Sequence, residues 1–116
     1  MEQSRKISKE EERLLDFLVD NASLKLHDNW KKDLLVTPMQ DGGMGSLSLS
    51  FVSQNKEKQV FGKQVSECHF LDEDGVDVIA SLNVDQNGNL FELDIWKTDY
   101  SSLIKISDKF DLNTLI

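Results

Sequence analysis

Ile79-Ala80-Ser81-Leu82-Asn83-Val84-Asp85-Gln86-Asn87-Gly88-Asn89-Leu90-Phe91-Glu92-Leu93-Asp94-Ile95-Trp96 alternates apolar and polar residues on both sides of Asn87-Gly88. An Asn-Gly pair between alternating runs is a strong hairpin signal, because a type I′ turn needs positive φ at both central positions. A two-residue loop centred there pairs Val84 with Phe91, Leu82 with Leu93 and Ala80 with Ile95, six apolar residues on one face. The other face then carries Asn83 with Glu92, Ser81 with Asp94, and Ile79 with Trp96. A slip of one residue would turn every apolar side chain outward, so the pattern specifies the register.

The same logic extends upstream. Asp72-Glu73-Asp74-Gly75 suits a three-residue loop with Gly75 in the left-handed conformation. That loop pairs Phe70 with Val78 and Cys68 with Ala80 inside, and sets His69 and Glu67 outside beside Ile79 and Ser81. A two-residue loop on Asp74-Gly75 would instead press Glu67 and His69 against the core, where an unpaired polar group is penalised. Leu47, Leu49 and Phe51 alternate with Ser46, Ser48 and Ser50, which reads as a strand with one buried face. Leu34 to Met39 reads as a strand at a sheet edge or ending early, because Pro38 cannot donate to a ladder. The turn Asp41-Gly42-Gly43-Met44-Gly45 follows it, and the polar Ser53 to Lys58 reads as a loop.

Ser8 and Glu11 match a capping box, and Glu10, Glu11 and Glu12 complement the helix dipole. With Leu14, Leu15, Phe17, Leu18 and Ala22 at helical spacing, a helix is expected at about Ser8 to Asn21. Leu24 to Asp33 fits either a second short helix or an irregular link that packs Trp30 on the core. The expected fold is α+β: one domain, 1–116, with an N-terminal helix on a four- or five-stranded antiparallel meander sheet. Its inner positions Val76, Val78, Ala80, Leu82, Val84, Phe91, Leu93 and Ile95 are wholly apolar. The apolar tail Leu103, Ile104, Ile106, Phe110, Leu112, Leu115 and Ile116 is expected to cover a sheet edge or another subunit.

Charge is distributed unevenly. Between Gln64 and Asp99 stand nine acids and one base, Lys97, a balance of −8 that equals the net charge of the whole chain. An acidic sheet surface attracts basic partners and repels acidic ones. Nucleic-acid binding needs clustered Lys and Arg, so it is not expected. No apolar run nears the ~20 residues that span a bilayer. With a single cysteine, Cys68, no intrachain disulfide is possible. Met1 to Asp20 is charged throughout with no signal-peptide-like apolar region, so a cytoplasmic protein is expected.

The outer sheet face, with Glu67, His69, Ile79, Glu92, Asp94 and Trp96 as neighbours, is the candidate partner-binding site. Tryptophan is enriched among residues that dominate interface energy; the competing reading is a solvated face whose Trp96 lies under the C-terminal tail. His69 beside Glu67 or Asp94 could form an acid–base pair, but no nucleophile or oxyanion site accompanies it. Cys68 points away from His69, as adjacent strand residues do, and reads as a small buried hydrophobe. Asp41 to Ser46 lacks the Lys-Ser/Thr ending of a phosphate loop. Asp72-Glu73-Asp74-Gly75 and Asp85-Gln86-Asn87-Gly88-Asn89 place glycine at the fourth position, where a calcium loop has it at the sixth. His27, His69 and one cysteine give no zinc spacing. No cofactor is expected.

Asp41-Gly42-Gly43-Met44-Gly45-Ser46-Leu47 and Phe91-Glu92-Leu93-Asp94-Ile95-Trp96-Lys97-Thr98-Asp99-Tyr100, with Ser101-Ser102-Leu103 following, resemble a family of small uncharacterised bacterial proteins. That resemblance implies a bacterial, cytoplasmic protein and carries over no activity. The order of helix then sheet is similar to cystatin-like and nuclear-transport-factor-like folds. Size and acidity also resemble immunity proteins that neutralise basic toxins. The resulting expectation is a non-enzymatic domain that binds a basic protein through the face around Trp96, immunity- or inhibitor-like. The alternatives are self-association through Trp96, Ile79 and the apolar tail, or a small-molecule or enzymatic pocket between helix and sheet.

Overall fold

A computed structural model describes residues 3–52 and 56–112. Helix α1 runs Lys9–Asp20, and a single turn, α2, occupies Trp30–Asp33. Five strands follow: β1 Leu34–Pro38, β2 Leu47–Phe51, β3 Phe61–Leu71, β4 Asp77–Asp85 and β5 Leu90–Lys97, with a short 3-10 turn at Lys56–Lys58 before β3. They form one antiparallel sheet with α1 packed on its inner face, an α+β fold.

The helix begins where its cap lies. Ser8 Oγ accepts the Glu11 N–H at 3.2 Å while the Glu11 carboxylate accepts the Ser8 N–H at 3.0 Å. Leu14, Leu15 and Leu18 are fully buried against the sheet, and Asn21 closes the helix through the Phe17 carbonyl. Leu24 to Asn29 is an irregular link, and the turn after it presses Trp30 onto the core. Lys31 ties that link back to α1 through Asp16 at 2.7 Å.

The strand order is β1-β2-β5-β4-β3, which corrects the expected meander. Only β3, β4 and β5 run as a meander; β1 and β2 form a separate hairpin whose second strand joins β5. Ser46 supplies the physical reason for that junction. Its hydroxyl accepts the Ile95 N–H at 2.8 Å and lies 3.2 Å from the Ile95 carbonyl, extending the ladder beyond the backbone pairs Leu47–Leu93 and Ser48–Glu92. β3 is left as an edge strand, which suits its exposed, polar first half. The first strand ends at Pro38, on the opposite edge.

The β3–β4 hairpin has the expected register, with Phe70–Val78, Cys68–Ala80, His69–Ile79 and Glu67–Ser81 paired and Gly75 at φ +80°. The β4–β5 hairpin differs at its tip. Its loop has three residues, closed by Asp85 N–H donating to the Asn89 carbonyl at 2.8 Å, and Val84 pairs with Leu90, not Phe91. The Asp85 carboxylate favours this longer loop by accepting the N–H groups of Asn87 and Asn89, both at 2.9 Å. Phe91 is then the extra residue of a β-bulge, which absorbs the additional loop residue. Beyond it Leu82–Leu93, Ala80–Ile95, Ser81–Asp94, Asn83–Glu92 and Ile79–Trp96 pair as expected. Phe91 and Val76 are half-buried, and neither joins the fully buried inner row.

After β5 the chain crosses the sheet's inner side. Ile106 is buried in the core, and Phe110 packs on Phe17 and Phe70 with ring centroids 5.3 and 5.9 Å away. Asp111 then bridges His69 on the outer edge of β3, with N–H to carbonyl distances of 2.8 and 2.9 Å. The expectation of an edge-covering tail thus holds from Ile106 to Asp111, while Ile104 and Leu112 are exposed and Leu115 and Ile116 lie outside the described residues. At the opposite edge Arg5 bridges Val36 in the same manner, both bonds 2.8 Å.

Candidate functional site

Side chains alternate along a strand, so the register sets the outer face row by row. One row reads His69, Ile79, Trp96; the next reads Glu67, Ser81, Asp94; a third reads Asn83, Glu92, Ser48. The six residues singled out from the sequence are therefore brought onto three adjacent strands. These rows contain three carboxylates and neither lysine nor arginine. Asp94 and Trp96 are exposed, Glu67, Ile79 and Glu92 half-buried.

The missing base has a structural cause. Lys97 continues the inner row of Leu93 and Ile95 and is completely buried. Its ammonium lies 2.9 Å from Asp72 and 2.7 Å from Asp74, and donates to the Ser102 carbonyl at 3.1 Å. Burial opposes the charged form, but Asp74 and Asp72 outweigh it and hold the Lys97 pKa above its ordinary value. Asp72 also accepts the N–H groups of Ile104 at 2.8 Å, Lys105 at 3.0 Å and Glu73 at 2.7 Å. Burial pushes its pKa up, yet the Ile104 N–H, Lys97 and the other donors bring it down to about 2. Asp85 is likewise buried and bonded to its own hairpin. Two of the nine acids counted from the sequence are thus internal fasteners, and the one base is hidden.

Among the described residues, Trp96 is not covered by the C-terminal segment, which passes on the other side of the sheet. It is 38% exposed and meets a second aromatic residue, Tyr100, 71% exposed, with ring centroids 5.9 Å apart and planes inclined at 58°. A tight turn delivers Tyr100: its N–H donates to the Lys97 carbonyl at 2.8 Å, and its φ is +65°. Tyr100 is the site residue that sequence reasoning missed. It stands outside the alternating strand pattern, and only the turn geometry folds it back onto Trp96.

Other candidates resolve into structure. The Cys68 thiol is buried in the core and pushed up to about 12, by burial and then by the Glu67 charge. His69 has a buried Nδ1 with no hydrogen-bond partner among the described residues, and the carboxylate that approaches its Nε2, at 3.9 Å, is that of Asp111. Asp94 Oδ1 instead lies 3.3 Å from the Ser46 hydroxyl. In the glycine-rich turn, Asp41 accepts the N–H groups of Met44 at 3.1 Å and Ser46 at 2.9 Å. The turn receives the C-terminal segment: Leu103 N–H donates to the Gly43 carbonyl at 3.0 Å and Ser102 Oγ to the Gly42 carbonyl at 3.1 Å. Gly43 has φ +79°, and a Cβ there would stand 2.9 Å from Ser102 Oγ, so the left-handed backbone and the close approach together favour glycine. An open groove of about 410 Å³ adjoins this turn, lined in part by Arg5 and Glu11, which pair with each other at 2.8 Å.

Residues 4–107 match the model of a protein family described as a domain of unknown function, DUF6984. The chain belongs to that family. No curated protein and no solved structure matches it. The family match spans the helix, all five strands, the Trp96–Tyr100 pair and the segment held by Asp72. Among the described residues, no helix is long and apolar enough to cross a membrane.

Proposed function

We propose that this domain is a non-enzymatic binding module of the bacterial cytoplasm, and that its outer sheet face, centred on Trp96, docks a basic protein in the manner of an immunity or inhibitor protein. The observation that carries this reading is the composition of the outer rows: Glu67, Glu92 and Asp94 without a lysine or arginine, around a Trp96 that is exposed among the described residues. The acids steer a basic partner into contact, raising the association rate by roughly 10 to 1000-fold. Burial of Trp96 and Ile79 then supplies lasting affinity, which charge alone does not. Glu67 and His69 form the margin of this surface nearest the Asp111 bridge.

The test begins with a basic protein retained on the immobilised chain and not on Glu92→Lys/Asp94→Lys. Mixed with the Trp30→Phe variant, whose sole tryptophan is Trp96, it should change the fluorescence at a rate that falls steeply with added salt. A salt-independent rate would sink the proposal. Should sedimentation instead give a mass that rises with concentration and is lost on Trp96→Ala, the face would be a contact between copies of this chain.

A further inference from the structure

Resting on the reading of the outer face as a partner surface, we propose that the wedge between Trp96 and Tyr100 takes the guanidinium of an arginine side chain on the partner. The ring centroids are 5.9 Å apart with planes at 58°, a tilted contact pair, and both residues meet solvent. Aromatic faces carry the negative lobe of the ring quadrupole, which attracts a cation placed over them.

The backbone under Tyr100 is the second observation. At φ +65° it occupies the left-handed region, which glycine or asparagine adopts readily and a bulky aromatic residue does not. The turn itself asks only for an N–H at this position, donated to the Lys97 carbonyl at 2.8 Å. A glycine would meet that need, so the ring is held in place against the local backbone preference. Strain of this kind clusters at binding and catalytic sites.

The strand register sets two acidic residues beside Trp96 on the same face. Asp94 is two residues before Trp96 on the same strand face, about 6.7 Å along the strand. Asp77 is diagonal to Trp96 on β4, about 7–8 Å away. A planar guanidinium stacks on a ring and still donates from its edge to a carboxylate; a lysine ammonium offers a point charge without the stacking plane.

The experiment titrates the full chain, carrying Trp30→Phe, with an oligoarginine and an oligolysine peptide of equal length at low salt. Trp96 fluorescence reports binding, and Tyr100→Gly and Tyr100→Asn are compared with the parent. The expected result is that both substitutions weaken oligoarginine binding about fivefold or more and leave oligolysine binding within about twofold, with thermal midpoints no lower than the parent's. If the two variants bind oligoarginine as the parent does, or lose both peptides equally, the arginine wedge is overturned while the acidic face stands. If neither peptide binds the parent chain, the wedge and the acidic-face reading fall together.

Discussion

Asp72 gathers four donors on one buried carboxylate: the Lys97 ammonium and the N–H groups of Glu73, Ile104 and Lys105. Replacing it with alanine leaves a buried ammonium with only Asp74 and a carbonyl, and orphans two N–H groups of the C-terminal segment. The expected loss is about 3 kcal/mol by urea denaturation, whereas Asp94→Ala on the exposed face should change stability by less than about 0.5 kcal/mol. The folded pKa of Asp72, about 2, lies below its ordinary 3.8. A depressed carboxylate stabilises the fold above its unfolded pKa, and that contribution disappears as pH falls from about 4 toward 2. Acid unfolding of the wild type should therefore steepen across that window, and Asp72→Asn should flatten it. The position of Lys97 was legible in principle, since it shares the alternation of Leu93 and Ile95. What the sequence hides is its partner, because a turn 23 and 25 residues upstream supplies the two carboxylates.

At the level of elements, period-two alternation and turn chemistry made most of the sheet readable. Away from the tip of the β4–β5 hairpin, the pairing of β3 with β4 and of β4 with β5 follows from which residues must be buried, and tertiary packing agrees with it. The tip of the β4–β5 hairpin departs from the two-residue loop that Asn87-Gly88 favours because the Asp85 carboxylate accepts the N–H groups of Asn87 and Asn89. A side-chain acceptor at the strand end changes which loop length is favoured, and Phe91 then becomes the extra residue of the bulge. Gln59 adds to this by donating to Asp85 at 2.8 Å from the connection before β3. Asp85→Ala should thus destabilise the protein by about 1–2 kcal/mol, and the loss should appear as faster amide exchange at Asn87 and Asn89. An unchanged exchange rate at both would show that the loop does not depend on that carboxylate. The pairing of β2 with β5 had no local signal at all. It consists of the backbone pairs Leu47–Leu93 and Ser48–Glu92, extended by a serine hydroxyl that stands in for a backbone partner between positions 46 and 95.

For the molecule as a whole, the segment after β5 belongs to the core. Ile106 is 6% exposed, and its carbonyl accepts from Arg13 of α1 at 3.3 Å. Ile106→Ala should cost about 2–4 kcal/mol, as much as an interior position of the sheet; a change below about 0.5 kcal/mol would mean that the segment only rests on the surface. Among the described residues, Asp72 and the glycine-rich turn hold the start of this segment, and Arg13, Phe17 and His69 hold its end. Lys97 sits beneath that start, charged and sealed from water. An amine in that state is a poor nucleophile and out of reach of reagents, so a brief treatment with an acylating ester should modify the surface lysines and spare this one. Acylation at Lys97, read by mass spectrometry of the digested protein, would then count each occasion on which the strap lifts, giving the native chain a chemical clock for its own opening.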